Sequence, residues 1–292
     1  MFNTKREILA NKIRNKEFFI APGVFDMLSA RLADKLDFAA LYMSGYGVVA
    51  SYLGLPDAGL ASYRDMLDRV QTIAAGISKP LIADADTGYG GLLNIAQTIK
   101  GYELSGACAL HIEDQVNPKR CGHIKGKELV SIDEMCKRLN VALDSRVDEN
   151  FLIIARTDSL SEEGISSACR RSEAYIKTGV DMLFVEGYQT MEEMKEITDN
   201  FKEFPILVNL SESGETPKLN SKQLKELGFT LAIFPGTAFS ASAASIQLVY
   251  DKLYNENSSS NISVPLLRGL DMHKLMGFED VWDFEKNNVI VY

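Results

Sequence analysis

The sequence contains eight short apolar runs, each ending in polar or glycine residues, with helix-like segments between them. Runs that are continuously apolar, rather than alternating, are typical of strands covered on both faces, as in parallel sheets. Eight strand-then-helix units within 292 residues predict an α/β protein, a (β/α)8 TIM barrel. The runs are residues 18–23, 39–45, 80–86, 108–114, 151–157, 181–187, 205–211 and 230–236.

The segments between the runs carry helix signals. A stripe of Leu, Ala and Met marks residues 24–36, and Ser131 with Glu134 matches a capping box at the start of another segment. Faces rich in Glu and Lys mark residues 190–201 and 221–228. A doubly wound sheet would need fewer strands or a domain break, and no linker precedes residue 255. The barrel is therefore the preferred interpretation.

The composition changes near the end of the chain. Residues 255–261, NENSSSN, form a polar, flexible connection, and an amphipathic tail with the only tryptophan follows. We predict a barrel domain over residues 1–254, and a linker with a C-terminal helical segment over 255–292. The tail is expected to pack either on a neighbouring subunit or on the chain's own barrel.

Charge and cysteine content narrow the range of partners. The net charge is −9, and Lys and Arg are scattered, so the basic stripe required for nucleic-acid binding is missing. No run approaches the roughly 18 to 20 apolar residues of a membrane span, and the N-terminal pattern is unlike a secretory signal. The four cysteines are irregularly spaced, without a Cys-x-x-Cys pair. We expect a cytoplasmic protein with neither nucleic-acid nor membrane partners.

Polar side chains gather where the predicted strands end, which is where (β/α)8 barrels carry their chemistry. Asp84 and Asp86 share one face of the third strand, and His111 and Glu113 share one face of the fourth. The three carboxylates would repel one another without a cation. Because the ligands are oxygens, the pattern indicates Mg²⁺ rather than zinc. The alternative is that some of these carboxylates only cap helices.

A basic loop, residues 118–127, follows the fourth strand. Its glycines permit a lid over the barrel mouth, and its cations would favour the thiolate of Cys121 or attract an anionic substrate. Cys121 is a candidate proton donor or nucleophile, and the alternative is an inert loop cysteine. Arg156 ends the fifth strand and can hold a substrate carboxylate, or can instead pair with Asp158 or Glu186.

With these residues in place, the chain resembles the isocitrate lyase and phosphoenolpyruvate mutase superfamily, in its short methylisocitrate lyase-like or 2,3-dimethylmalate lyase-like branch. The resemblance covers nearly the whole length, and KRCGH at 119–123 is its most specific part. It implies a last helix swapped between subunits of a homotetramer, a dimer of dimers. The matching motifs are LYMSGYG (41–47), LGLPDAG (53–59), ADADTGYGG (83–91), HIEDQVNPKRCGH (111–123), IIARTD (153–158) and NLSESGETP (209–217).

The resemblance also implies a cofactor and a substrate pocket. Mg²⁺, for which Mn²⁺ can substitute, is held directly by Asp84 and mainly through water by Asp86 and Glu113. The substrate is a small carboxylate, bound through its α-keto acid portion. The residues implied to bind it or to line the pocket are Ser44, Gly45, Tyr46, Asp57, His111, Gly122, Arg156, Glu186, Asn209 and Ser211.

The implied activity is a Mg²⁺-dependent carbon–carbon lyase that cleaves a 2-hydroxy di- or tricarboxylate to pyruvate and a second acid by retro-aldol or Claisen chemistry. Tyr42 is our candidate base for the hydroxyl, Cys121 protonates the carbanion-like product, and His123 orients the site. Glu113 counts both as a catalytic group and as a metal ligand. Tyr46, where glycine is common, favours 2,3-dimethylmalate over the larger 2-methylisocitrate.

Three other functions remain open. One is phosphonopyruvate hydrolase or phosphoenolpyruvate mutase-like chemistry, which does not need a thiol to protonate carbon, or hydrolysis or decarboxylation of oxaloacetate. A second is a non-catalytic barrel that binds a dicarboxylate. The third is zinc bound by His111, Cys121 and His123, which conflicts with placing two ligands in a mobile loop because structural zinc needs fixed ligands.

Overall fold

The structure is a computed structural model that describes residues 2–122, 126–212 and 214–288. Eight parallel strands pair in chain order, and the last pairs with the first, so the sheet closes into a barrel. This confirms the (β/α)8 prediction: seven of the apolar runs contain one strand each, and β1 extends one residue beyond its run. The strands are β1 (Phe19–Val24), β2 (Leu41–Met43), β3 (Leu81–Asp84), β4 (Ala109–Glu113), β5 (Leu152–Thr157), β6 (Met182–Val185), β7 (Ile206–Asn209) and β8 (Leu231–Phe234).

Helices alternate with the strands, and several begin at a side-chain cap. Thr190 and Asn220 each accept a hydrogen bond from the third helical amide, and the side chain at that position bonds back. Ser131 also caps its helix, while the Glu134 carboxylate pairs with Arg138. The helices are α1 (Phe2–Arg14), α2 (Met27–Asp34), α3 (Gly45–Val48), α4 (Tyr63–Gly76), α5 (Leu92–Leu104), α6 (Ile132–Ser145), α7 (Ser159–Glu163), α8 (Ile165–Lys177), α9 (Met191–Asn200), α10 (Ser221–Leu227), α11 (Thr237–Glu256), α12 (Leu270–Leu275) and α13 (Phe278–Asn287), with a π-helical turn at Val49–Leu53.

Strand alternation decides which side chains reach the interior of the barrel. Ile82, Ala109, Ile154, Phe184 and Leu207 all belong to the buried cluster inside the barrel, into which Leu9 and Ile13 of α1 also pack. Because every second residue of a strand points the same way, the residue two positions further on continues on the inner face. A layer of polar side chains at the carboxyl ends of the strands therefore lies on the layer of apolar side chains inside the barrel. The polar positions are Asp84, His111, Arg156, Glu186 and Asn209.

The chain divides into two compact units, one ending at Phe239 and the other beginning at Ser240. The first contains the barrel and all the site residues discussed below. The second contains most of α11 together with α12 and α13, and it exposes large apolar side chains, including Tyr254, Trp282 and Phe284. Packing of this segment on a neighbouring subunit stays a prediction. None of the described helices is long and apolar enough to span a membrane.

Candidate active site

Acidic side chains from β3 and β4 come together at the carboxyl end of the barrel. Asp84, Asp86 and Glu113 are all buried, with at most 5% of any of them exposed. The Asp86 amide donates to Asp84 Oδ1 over 2.9 Å, and the Glu113 amide donates to the Asp86 carbonyl over 2.9 Å. These hydrogen bonds join the loop after β3 to the end of β4, and so bring the three carboxylates into one region.

Burial makes this cluster costly to ionise. It raises the pKa of Asp86 to about 6, with Asp84 and Asp57 adding to the rise and Lys119 opposing it. Burial also raises the pKa of Glu113 well above its usual value. The pKa of Asp84 is lowered. Burial alone would raise it, but the interactions with His111, Lys119 and Arg156 outweigh the effect of burial. A cation placed among these groups would therefore stabilise their ionised forms.

Lys119 supplies one positive charge to the cluster. Its Nζ lies 2.6 Å from Asp57 Oδ1 and 2.8 Å from Asp86 Oδ1, and only 3% of the residue is exposed. Burial disfavours its charge, but Asp86 and Glu113 outweigh burial and hold the pKa of Lys119 well above its usual value. The sequence suggests that this lysine acts on Cys121 or attracts an anion, whereas the structure pairs it with two carboxylates.

The acidic cluster suits a hard cation held partly through water. Across residues 2–122, 126–212 and 214–288, no group of three or more His, Cys, Asp or Glu side chains is arranged as a ready metal cage. In the same ranges, Glu113 Oε1 is buried without a hydrogen-bond partner. A cation or its bound water would remove that cost. Carboxylate oxygens are donors that Mg²⁺ prefers, so Asp84, Asp86 and Glu113 are the candidate side chains to hold such an ion.

Tyr42 and His111 form a neutral pair beside the carboxylates. The Tyr42 hydroxyl lies 2.8 Å from His111 Nε2, which in turn lies 3.6 Å from Asp84 Oδ1. Burial lowers the pKa of His111 to about 4. Burial, with a contribution from Asp84, raises the pKa of Tyr42 well above its usual value. Tyr42 is therefore a phenol near neutral pH, and His111 is the group with which it can exchange a proton.

Arg156 is held by two carboxylates. Its Nε and Nη2 donate to Asp158 over 3.1 and 3.0 Å, and its Nη1 lies 3.1 Å from Glu113 Oε2. The guanidinium also lies over the Phe184 ring, 5.0 Å from the ring centre. Of the partners that the sequence leaves open for this arginine, Asp158 is the one with which it forms the two-pronged pair. The pair fixes the plane of the guanidinium at the mouth of the barrel.

The loop after β2 forms one wall of the site. A Cβ on Gly45 would overlap Asp84 Oδ2, so only glycine allows this approach. Ser44 caps α3 by accepting a hydrogen bond from the Gly47 amide over 3.2 Å. Tyr46 is 48% exposed, and its ring meets the edge of Phe239 with the ring centres 5.8 Å apart. Tyr46 therefore lies at the rim of the first unit rather than inside the barrel.

Polar residues of β6 and β7 form the opposite wall. Asn209 Nδ2 donates to Glu186 Oε2 over 2.9 Å, and the Gly187 amide donates to Glu186 Oε1 over 3.1 Å. Asn209 Oδ1 is buried and, among the described residues, has no hydrogen-bond partner. Ser211 is also buried, two positions further along the chain. An unpaired amide oxygen at this edge is available to a bound ligand.

The described part of the loop after β4 lies against β5 and β6. A Cβ on Gly122 would overlap Arg156 Nη2 and lie 3.1 Å from Glu186 Cγ. Lys127 Nζ donates to the Gly122 carbonyl over 2.6 Å. Cys121, which is partly buried, is thus one residue from a direct contact with the Arg156 guanidinium. His123, the other predicted catalytic residue of this loop, lies outside the described residues.

Two residues that the sequence analysis did not single out support the site. Asp114 accepts hydrogen bonds from the Asp158 amide and from the Thr157 hydroxyl. Gln115 bonds to the backbone of Arg120. Both are polar residues directly after a strand and both are buried, at 0% and 1% exposure. The signal in the sequence that could have revealed them is that two polar residues directly follow Glu113, the last residue of β4.

Comparison with known proteins agrees with the motifs. Residues 9–253 match the family model described as phosphoenolpyruvate phosphomutase. A 2,3-dimethylmalate lyase of Eubacterium barkeri is 36% identical over 282 residues, covering 97% of this chain and 96% of that protein. A 2-methylisocitrate lyase of Shewanella oneidensis is 38% identical over 264 residues, covering 89% of this chain and 90% of that protein.

Solved structures extend the likeness. An oxaloacetate acetylhydrolase in complex with 3,3-difluorooxalacetate matches with a TM-score of 0.92 at 33% identity, covering 98% of this chain and 97% of that one. A phosphonopyruvate hydrolase in complex with oxalate and Mg²⁺ matches with a TM-score of 0.88 at 26% identity, covering 98% and 99%. The prediction of a methylisocitrate lyase-like enzyme is confirmed at the level of its relatives. The chain belongs to the phosphoenolpyruvate mutase and isocitrate lyase superfamily.

Proposed function

We propose that this protein is a Mg²⁺-dependent carbon–carbon lyase that cleaves a 2-hydroxy dicarboxylate of the 2,3-dimethylmalate type into pyruvate and a second carboxylic acid. The observation that carries the proposal is the contact between Gly122 and the Arg156 guanidinium. It brings the backbone of a cysteine loop to the edge of a buried carboxylate cluster. A carbon–carbon lyase needs a cation site and a carbon-directed proton donor in this proximity.

Some residues of the site stabilise charge, and others transfer protons. Mg²⁺, when bound by Asp84, Asp86 and Glu113, supplies Lewis-acid stabilisation of the negative charge on the substrate oxygens. The pair of Tyr42 and His111 takes the proton of the 2-hydroxyl, and the electrons of the broken carbon–carbon bond move to the departing fragment. That fragment leaves as an enediolate and takes a proton at carbon from the thiol of Cys121. The proton taken from the hydroxyl then returns to the thiolate through solvent, so charge and atoms balance.

The cations of the site already form ion pairs with carboxylates of the protein, and this favours a dicarboxylate substrate over a tricarboxylate. Among the described residues, Lys119, Lys127 and Arg156 are buried cations at the site, and each already faces carboxylates of the protein. Each substrate carboxylate must compete with the protein's own carboxylates for these cations. A carboxylate that finds no cation is buried without a partner, which costs free energy because it loses its hydration. A dicarboxylate meets this limit more easily than a tricarboxylate.

A second candidate is hydrolysis of oxaloacetate or of phosphonopyruvate. The match to an oxaloacetate acetylhydrolase, with a TM-score of 0.92, favours keeping this reaction class in view. Hydrolysis of phosphonopyruvate breaks a P–C bond and does not depend on a thiol, whereas hydrolysis of oxaloacetate releases a fragment that takes a proton at carbon, as the lyase reaction does. The role of Cys121 therefore separates the lyase from a phosphonopyruvate hydrolase, and the choice of substrate separates it from an oxaloacetate hydrolase.

The test is a substrate panel. Purified protein with Mg²⁺ is incubated separately with 2,3-dimethylmalate, 2-methylisocitrate, isocitrate, oxaloacetate and phosphonopyruvate, and the products are identified by NMR. We expect pyruvate and propionate from 2,3-dimethylmalate at the highest kcat/KM. An Asp84→Asn variant purified in the same way controls for contaminating activity. Turnover of oxaloacetate or phosphonopyruvate, with none of the first two compounds, would refute the proposal.

The assembly forms a separate part of the proposal. We infer a cytoplasmic homotetramer, a dimer of dimers in which the segment after residue 255 packs on a neighbouring subunit. The exposed apolar residues Tyr254, Trp282 and Phe284 support this, because an isolated chain would leave them in water. Light scattering on the full chain should give four times the 32.3 kDa chain mass. A monomeric mass would rule the assembly out and leave the lyase proposal standing.

A further inference from the structure

Gln115 occupies a fixed position directly beyond the end of β4. Its backbone carbonyl accepts a hydrogen bond from Arg138 Nη1 over 3.1 Å, and Gln115 forms an isolated antiparallel bridge with Leu129. The next amide, of Val116, donates to the Glu128 carbonyl over 2.7 Å. These bonds anchor the main chain at this point to the wall of the barrel. The Gln115 side chain therefore projects from a rigid base.

The carboxamide of Gln115 forms hydrogen bonds with both the amide and the carbonyl of Arg120. Gln115 Nε2 donates to the Arg120 carbonyl over 3.0 Å, and the Arg120 amide donates to Gln115 Oε1 over 2.9 Å. The carbonyl belongs to the peptide bond that joins Arg120 to Cys121. The side chain thus bonds the backbone of Arg120 as a neighbouring strand would. It fixes the orientation of the peptide group between Arg120 and Cys121.

The main chain next to Gln115 connects to the arginine site. Asp114, the preceding residue, accepts a hydrogen bond from the Asp158 amide over 3.0 Å. Asp158 in turn holds Arg156 through two hydrogen bonds, of 3.1 and 3.0 Å. A primary amide offers both N–H donors and a carbonyl acceptor, so one side chain can bond both backbone groups of Arg120. Neither Leu nor Glu can provide this set.

We propose that Gln115 is a positioning residue that sets the Cys121 thiol relative to Arg156, by clamping the Arg120 backbone to the end of β4. The inference rests on the proposed function for its chemical meaning, since it deepens the role given there to Cys121. Its geometric content can be tested without turnover. A side chain that only filled space at the end of β4 would not need to be an amide.

The first experiment measures how accessible Cys121 is. Wild-type protein, Gln115→Leu and Gln115→Glu are treated with iodoacetamide, and mass spectrometry follows alkylation of the peptide that contains Cys121. Gln115→Leu removes both hydrogen bonds to the Arg120 backbone, and Gln115→Glu removes the donor to the Arg120 carbonyl. We therefore expect alkylation of Cys121 to become faster by on the order of tenfold in the leucine variant and about fivefold in the glutamate variant. Cys136, on α6, gives an internal reference whose rate should stay unchanged. Gln71→Leu, the same substitution on an exposed face of α4, should behave as wild type.

The second experiment uses a readout that a loss of stability alone would not give. With 2,3-dimethylmalate and Mg²⁺, we expect kcat to fall by at least tenfold in both Gln115 variants while KM changes by less than about threefold, because the amide orients the thiol and does not bind substrate. Thermal unfolding identifies the variants that fold, and the glutamate variant carries the test if the leucine variant does not.

The two proposals fail in different ways. If wild-type protein turns over none of the panel, the lyase proposal fails, and the alkylation rates still decide the role of Gln115. Alkylation of Cys121 within twofold of the wild-type rate, in a folded Gln115 variant, would overturn the positioning role even for an active lyase.

Discussion

The Tyr42 hydroxyl lies 2.8 Å from His111 Nε2, and both side chains are buried inside the barrel. Tyr42→Phe removes the hydroxyl and leaves the imidazole nitrogen without this partner. A buried polar group left unpaired costs about 1–3 kcal/mol, so we expect the free energy of unfolding to fall by that amount in urea titrations.

The matched control is Tyr63→Phe. The Tyr63 hydroxyl makes a long 3.4 Å hydrogen bond to the Gln97 carbonyl near the surface. Its removal should change the free energy of unfolding by less than about 0.5 kcal/mol. Equal effects of the two substitutions would show that the contact between Tyr42 and His111 adds nothing to stability.

Cys121→Ser tests the proton donor. A hydroxyl is a much weaker acid than a thiol, and general acid catalysis contributes about 10²–10⁴-fold to a rate. We expect kcat for 2,3-dimethylmalate to fall by at least about 100-fold, with little change in the unfolding transition. Cys136→Ser, at a partly buried cysteine of α6, should keep wild-type activity. A Cys121→Ser variant with more than a tenth of wild-type kcat would exclude the thiol as the essential acid.

Mg²⁺ should stabilise the folded protein through Asp84, Asp86 and Glu113. A ligand present at about 100 times its Kd adds about 2.7 kcal/mol to the free energy of unfolding, which corresponds to about 5–10 °C in Tm for a chain of this size. Differential scanning calorimetry with and without EDTA measures the shift. Asp84→Asn should lose most of it, and Asp144→Asn, at an exposed site on α6, should keep it. An equal shift in both variants would place the ion elsewhere.

Gly122→Ala tests the contact between the cysteine loop and Arg156. The new Cβ would overlap Arg156 Nη2, and the guanidinium cannot easily move away because Asp158 holds it through two hydrogen bonds. The loop must therefore shift. Since displacements of about 1 Å can cost about 100-fold in rate, we expect kcat to fall by about 10- to 100-fold.

Gly91→Ala is the control for this substitution. Apart from its two chain neighbours, no residue has an atom within 4 Å of the position its Cβ would take, and its φ of −79° suits alanine. The variant should retain wild-type kcat. If Gly122→Ala were equally active, the loop would work without its contact to Arg156.

The fold could be predicted because its signal repeats along the chain. Each strand of a buried parallel sheet is a continuous apolar run, and the polar residue that ends the run keeps the inward direction of the apolar residues before it. This is why Ile82 leads to Asp84 and Ile154 to Arg156 on the inner face. The docking of α1 under the barrel lacked such a signal, because an amphipathic helix does not specify which surface it covers.

The pairing of charges within the site could not be predicted in the same way. Lys119 reaches Asp57, 62 positions away along the chain, because two loops without periodicity approach each other. The path of each loop depends on contacts made by its backbone, such as those between Gln115 and Arg120. Sequence patterns thus identified the types of residue at the site, while the partner of each residue had to come from the structure.

Asp114 connects the site to the helices behind it. Its Oδ2 accepts from the Thr157 hydroxyl at 2.7 Å, the Tyr175 hydroxyl at 2.8 Å and Arg171 Nη1 at 3.3 Å, and its Oδ1 accepts from the Asp158 amide at 3.0 Å. Asp114→Asn replaces one acceptor oxygen with a donor that faces other donors. Burial raises the pKa of Asp114, and Asp158 adds to the rise.

We expect Asp114→Asn to lower the free energy of unfolding by about 2–4 kcal/mol, because at least one buried donor loses its acceptor and Arg171 loses part of its compensation. Asp199→Asn removes a surface ion pair to Lys195 in which both side chains are about two-thirds exposed, and should cost less than about 1 kcal/mol. Urea unfolding of both variants measures the difference. Since Asp114 also fixes the backbone of Asp158, which holds Arg156, kcat should fall in Asp114→Asn while the Asp199→Asn variant keeps it. Unchanged stability together with unchanged kcat would show that the barrel positions Asp158 without this carboxylate.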